Sequence, residues 1–196
     1  MKRVEINELR FKKLIDGVKH CVAKDETRPI MQYIQFVVKH DAITAYATDG
    51  YKAGRVEISN KCPIDEEFTC LIKPFTVKVS KRGINPVVIE QAGEKTFVEV
   101  VTEYGVLRYC FNIPTGEFID IENVYVNARP HDRELGIQPR HVIDALKALS
   151  RTQTAGSVSY AVLESKENNK MPFIIRAKGD GIINEQLILP VRLSED

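Results

Sequence analysis

The chain has 196 residues, enough for one large or two small domains, and is 43% hydrophobic and 28% charged, a composition that can bury a core. The formal net charge of +1 excludes a uniformly basic nucleic-acid-binding arm but leaves open how charge is distributed. No apolar run approaches the ~18 residues of a membrane span, and the first residues, MKRVEINELRF, carry no apolar signal region, so a cytoplasmic protein without membrane contact is expected.

In chain order, VEINELRFKKLIDGVKHCVAK opens with a short polar lead-in. Phe11, Leu14, Ile15, Val18 and Val22 fall at helical spacing and predict a helix over residues 8–24, with Asn7 as its cap. Strands YIQFVVKH, AITAYATDG and YKAGRVEIS follow, with turns at His40-Asp41 and Asp49-Gly50. After the strand EEFTCLI, Pro74 suits a first helical position and predicts a second helix over residues 73–82. Phe75, Val77 and Val79 alternate there as in a strand as well. PVVIEQ, KTFVEVVTE and GVLRYCFNI then read as strands, with turns at Ala92-Gly93-Glu94 and Glu103-Tyr104-Gly105. PTGEFIDIENVYVNARPHDREL reads as a connector.

A third helix is predicted over 138–151, with Val142, Ile143, Leu146 and Leu149 as its apolar face. Strands SVSYAVLES, PFIIRAKGD and INEQLILPVRL complete the unit, with turns near Asn168-Asn169 and Gly179-Asp180-Gly181. Three repeats of helix plus antiparallel strands predict an α+β fold with helices on one face of the sheets.

The predicted helices hold 12 basic and three acidic residues, a net of +9, so the remainder of a +1 chain sums to −8. Arg10, Lys12, Lys13, Lys19 and Lys24 lie on the first, and Lys73, Lys78, Lys81 and Arg82 on the second. Arg140, Lys147 and Arg151 form one stripe of the third, away from its apolar face. Such segregation suits a polyanion held through its phosphates, without base readout.

Little in the chain points to catalysis. Cys21, Cys62, Cys70 and Cys110 form no CxxC pair and read as reduced thiols. His20, His40, His131 and His141 sit in separate segments. His20 and Cys21, as helix neighbours, are expected to point apart. His131-Asp132-Arg133-Glu134 reads as a solvated loop rather than a metal site, and Lys178-Gly179-Asp180-Gly181 as a hairpin turn rather than a phosphate loop. No metal, cofactor or enzymatic activity is expected.

TRPIMQYIQFVVKHDAITAYATDGYKAG, FTCLIKPFTVKVSKRG and GEFIDIENV resemble the middle domain of the bacterial sliding clamp, the DNA polymerase III beta subunit. QPRHVIDALKALS and EQLILPVRL resemble the last half of that family's final domain. The likeness spans roughly residues 1–125 and 136–193 and implies a DNA-clamp fold: a complete two-module domain over 1–125, a connector over 126–135 and a half domain over 136–196. It implies a non-enzymatic replication or processivity factor, with basic helices around duplex DNA bound non-specifically. Arg10, Lys12, Lys13, Lys19, Lys24, Lys78, Lys81, Arg82, Arg140, Lys147 and Arg151 would face the DNA.

The resemblance also implies a pocket for short hydrophobic peptides of DNA polymerase and other partners. One wall would be Thr48, Gly50, Tyr51, Lys52 and Ala53, the other Leu189, Pro190, Val191, Arg192 and Leu193, with Val77 as a further apolar position. Tyr51-Lys52 stands where the family usually has His-Arg, Lys73 where a pocket proline is common, and Ser194-Glu195-Asp196 extend past the usual tail. The length suggests a phage or mobile-element relative. Three modules per chain against twelve per clamp ring predict a homo-oligomer, a dimer or a four-chain ring, in which third modules pair between copies. The alternative is a peptide-binding adaptor that does not encircle DNA.

Overall fold

The computed structural model describes residues 2–126, 137–152, 162–164, 172–179 and 182–190. The first strand, β1 (Arg3–Asn7), alternates exposed Arg3 and Glu5 with buried Val4 and Ile6. Its period-2 alternation is visible in the sequence, within the stretch expected to be only a polar lead-in. Helix α1 (Glu8–Val18) begins where Asn7 Oδ1 accepts the Arg10 amide at 2.8 Å. It ends earlier than predicted. A tighter turn over Lys19–Cys21 follows, and Val22 is extended.

Strands β2 (Ile34–Val38), β3 (Ala42–Thr48), β4 (Lys52–Ser59) and β5 (Phe68–Ile72) come next, then β6 (Pro86–Ala92), β7 (Lys95–Thr102) and β8 (Gly105–Asn112). No helix forms over 73–82. The chain there runs as an irregular strap that closes in a turn at Ser80–Gly83, buries Val77 and leaves Lys78 exposed. The alternation of Phe75, Val77 and Val79 prevails over the proline signal, because β-branched valines favour extended backbone and only alternate residues can reach the sheet beneath.

The expected connector contains a short helix, α2 (Ile121–Val126). Helix α3 (Pro139–Thr152) follows, then β9 (Val162–Glu164), β10 (Phe173–Gly179) and β11 (Ile182–Ile188). The turn expected near Asn168-Asn169 lies outside the described residues, as do His131 to Glu134.

Two antiparallel sheets result. One has the order β1-β6-β7-β8, the other β5-β2-β3-β4-β11-β10-β9. In the second, β11 pairs with β4 over seven residues, from Ile182 opposite Ile58 to Ile188 opposite Lys52, so the third module joins the first within one chain. The main core gathers Phe11, Leu14, Ile15 and Val18 of α1 with Phe36 and Val56 of the long sheet and Ile89 and Val98 of the short one.

Helix α2 covers the other face of the long sheet, where Ile121 and Tyr125 pack on Tyr46, Ala53, Ile174 and Leu187. The expectation of helices on one face alone therefore holds for α1 and α3 but not for α2. The helix is only six residues long, too short for a helical period to stand out among the apolar positions from Phe118 to Val126.

Candidate nucleic-acid interface

α1 and α3 lie side by side on the inner face of the long sheet, and buried amides of β11 hold them there. Gln186 Nε2 donates to the Gly17 carbonyl of α1 at 3.1 Å. Asn184 Nδ2 donates to the Ala148 carbonyl (3.2 Å) and Thr152 Oγ1 (2.8 Å) of α3. Gly17 lets the helices approach: a Cβ there would stand 2.4 Å from Val56 Cγ2 and 3.1 Å from Thr152 Cγ2. On the far side of α1 runs the strap. Phe75 stacks on Tyr109 at 4.3 Å and meets Phe11 at 6.0 Å, while Ser80 donates to the Glu8 carboxylate. Strap, α1 and α3 thus form one layer over the sheets.

The basic residues are spread across that layer. Lys73, Lys78, Lys81 and Arg82 are exposed on the strap, Lys13 is half-buried on α1, and Arg140, Lys147 and Arg151 are exposed on α3. Lys12 and Lys19 flank Asp16, Lys19 at 2.5 Å. Burial raises the Asp16 carboxyl, but the two lysines outweigh it and hold it below the usual carboxylate range. Arg10 turns aside to the Ser59 carbonyl and hydroxyl at the end of β4. Lys24 is exposed beyond α1.

The face of α3 differs from expectation. Ala145, Ala148, Leu149 and Thr152 are buried, whereas Ile143 and Leu146 are 49% and 46% exposed. The small alanines let the helix sit close to α1 and β11, which rotates the two larger residues out of the core. Arg140, Lys147 and Arg151 remain on the outward side.

The turn between β3 and β4 is closed by side chains. Asp49 Oδ1 accepts the Tyr51 (2.9 Å) and Lys52 (3.0 Å) amides, and Gly50 takes φ +88°. Tyr51 is 70% exposed, and its carbonyl accepts the Leu189 amide at 3.1 Å. The start of the C-terminal tail therefore reaches the turn. A polar recess of about 250 Å³ opens beside it, walled by Tyr51, Gly50, Arg28 and Met31.

Other proposed pocket residues are placed differently. Lys52 is nearly buried and turns to Asp144 of α3 at 3.5 Å. Thr48 and Ala53 are buried within the sheet. Leu189 is half-buried against the cluster under α2, with Pro190 after it. Val77 lines a separate groove of about 480 Å³ over the short sheet, with Phe75, Val79, Val100, Leu107 and Tyr109. Val191, Arg192 and Leu193 lie outside the described residues.

His20 and Cys21 do not point apart as helix neighbours would. Past the end of α1 the chain tightens, and His20 Nε2 lies 3.3 Å from Cys21 Sγ. Burial drives both toward their neutral forms. The imidazole falls to about 4, through desolvation and then Lys52, and the thiol rises well above its usual value. A thiolate–imidazolium pair is disfavoured on both sides.

Solved structures with the same architecture are sliding clamps. The DNA polymerase III beta subunit of Thermotoga maritima superposes with a TM-score of 0.73 at 12% identity, covering 99% of this chain and 66% of that one. The DNA polymerase sliding clamp of Bacillus subtilis gives 0.71 at 18% identity, covering 97% and 64%. The Pseudomonas aeruginosa sliding clamp bound to griselimycin gives 0.73 at 11%, covering 97% and 65%. The chain has the sliding-clamp fold. It spans just under two thirds of the length of those clamps. No family model matches it, and no curated protein matches its sequence.

Seen as a clamp fold, the layer of strap, α1 and α3 carries the basic side chains, while the opposite face of the long sheet carries a mixed ion network. There Glu185 receives Arg55 at 2.8 Å and Arg176 at 2.6 Å, and Glu57 receives Arg55 at 2.6 Å. Tyr46 donates to Glu122 of α2 on the same face. Among the described residues no helix is long and apolar enough to cross a membrane.

Proposed function

We propose that this chain is a non-catalytic, clamp-like protein that associates with duplex DNA through the layer of strap, α1 and α3. The observation that carries the reading is the outward stripe of Arg140, Lys147 and Arg151 on α3, set beside Lys12, Lys13 and Lys19 of α1 on a sliding-clamp fold. Lysines and arginines displayed without grooves or recognition side chains contact phosphates, so binding is insensitive to base sequence and weakens steeply with salt. In this reading the chain acts as a homo-oligomer and as a processivity factor for a replicating polymerase. Its Tyr51 turn and C-terminal tail form a contact site for polymerase peptides.

The test is a salt titration of DNA binding. Arg140→Glu with Lys147→Glu should weaken association and reduce the log–log salt slope by about two, since each phosphate contact contributes about 0.9. An unchanged slope removes α3 from the interface. A second reading, a peptide-binding adaptor that does not encircle DNA, is favoured by the bond from the Leu189 amide to the Tyr51 carbonyl, which brings tail and turn together.

A further inference from the structure

Strap and short sheet enclose a groove of about 480 Å³, within the ~300–1,000 Å³ of small-ligand sites. Its wall is aromatic and apolar. Phe75 of the strap stacks on Tyr109 of β8 at 4.3 Å, with Val100 and Leu107 beside them. Leu107 is 51% exposed although it shares a strand face with Tyr109. Tyr104 stands at the lip and is 92% exposed. Its backbone is fixed, because the Thr102 hydroxyl accepts the Tyr104 amide at 3.2 Å and donates to the Gly105 carbonyl at 2.8 Å. Its ring has no partner among the described residues.

Glu8 lines the same groove from α1 and is 1% exposed. Its carboxylate accepts the Ser80 hydroxyl and the Asn85 amide (3.3 Å), both at Oε1. Oε2 has no donor among the described residues. A buried acceptor left unpaired is costly, and a ligand that donates to it recovers that cost. Lys78 also lines the groove, and Lys81 and Arg82 follow it. All three are exposed, without an ion-pair partner among the described residues.

We propose that this groove binds one unpaired, amino-bearing nucleobase of single-stranded nucleic acid. Tyr104 stacks on the base, Glu8 Oε2 accepts from its exocyclic amino group, and Lys78, Lys81 and Arg82 hold the flanking phosphates. An acyl chain leaves Oε2 unpaired, and a simple amine leaves three cations without a counter-charge. A nucleotide satisfies both and brings a π-face for the tyrosine. A base inside a duplex does not fit, because its faces are held in the stack. The site therefore goes beyond the duplex reading and does not depend on α3.

The test uses the full chain and three fluorescein-labelled oligomers of equal length, followed by anisotropy at neutral pH and fixed salt. Oligodeoxycytidylate should bind more tightly than oligodeoxyuridylate, which differs at the amino group, and both more tightly than an abasic oligomer of the same charge. Tyr104→Ala should weaken oligodeoxycytidylate binding about five-fold or more. It should leave the abasic oligomer and the thermal midpoint unchanged, and Tyr104→Phe should bind as the wild type does. Equal binding of all three oligomers leaves the groove to an apolar peptide and overturns the proposal. So does a Tyr104→Ala variant that binds as the wild type but has a smaller mass in light scattering, which gives the groove to a second copy. A cytidylate preference that survives Arg140→Glu with Lys147→Glu supports the groove even if duplex binding is lost. A preference that disappears with those two residues overturns it.

Discussion

At residue scale the most informative group is His20, which stands where α1, β4 and α3 meet. Among the described residues its buried Nδ1 has no hydrogen-bond partner, and Lys52, Asp144, Arg151 and Cys21 surround it. The folded imidazole titrates at about 4 against an ordinary value of 6.5. Between those values the unfolded chain binds the extra proton, so stability rises with pH and is lost as pH falls from 6.5 toward 4. The contribution of this one group is at most about 3 kcal/mol. Asp16 and Asp144 also stay below the usual carboxylate range. Burial opposes this at both, but Lys12 and Lys19 at the first and Lys52 at the second outweigh it. Their support is present above the unfolded carboxylate value and fades at still lower pH. His20→Gln should therefore flatten the acid limb between 6.5 and 4 and leave the steeper loss below it. Urea unfolding across that range measures this, and identical slopes in both proteins would contradict the assignment.

At the scale of elements, the strap is the clearest departure from what the sequence shows. Its residues satisfy two patterns at once, proline at a helix start and a period of two, and only the aromatic surface beneath decides between them. Phe75 between Phe11 and Tyr109 is that decision, and its partners lie 64 and 34 residues away in the chain. The strands of the first two modules were legible because alternation and turn residues are local. The helical face of α3 was not, because Ile143 and Leu146 are expelled by the close approach of Ala145 and Ala148, which no local period reports. At the candidate site, the basic stripe of α3 was legible from spacing alone. The burial of Lys52 against Asp144 was not, since the two are 92 residues apart. If Phe75 pins the strap, Phe75→Ala should cost about 3 kcal/mol. It should speed tryptic cleavage after Lys78 and Lys81 before the sheets open. Cleavage at the wild-type rate would mean that the strap is held elsewhere.

At the scale of the whole molecule, the clamp fold and the charge layer leave two behaviours to separate. A closed assembly holds DNA by topology. Its retention depends on the DNA having no ends, and salt weakens only the contacts of the inner layer. An adaptor with the same fold but no ring holds DNA, if at all, by charge, and ends are irrelevant to it. The expected outcome for a closed assembly is that protein loaded on nicked circular DNA at low salt co-elutes with it at moderate salt, and that cutting the circle once releases it. Retention that falls equally on circle and linear DNA as salt rises would mean attachment by Arg140, Lys147 and their neighbours alone.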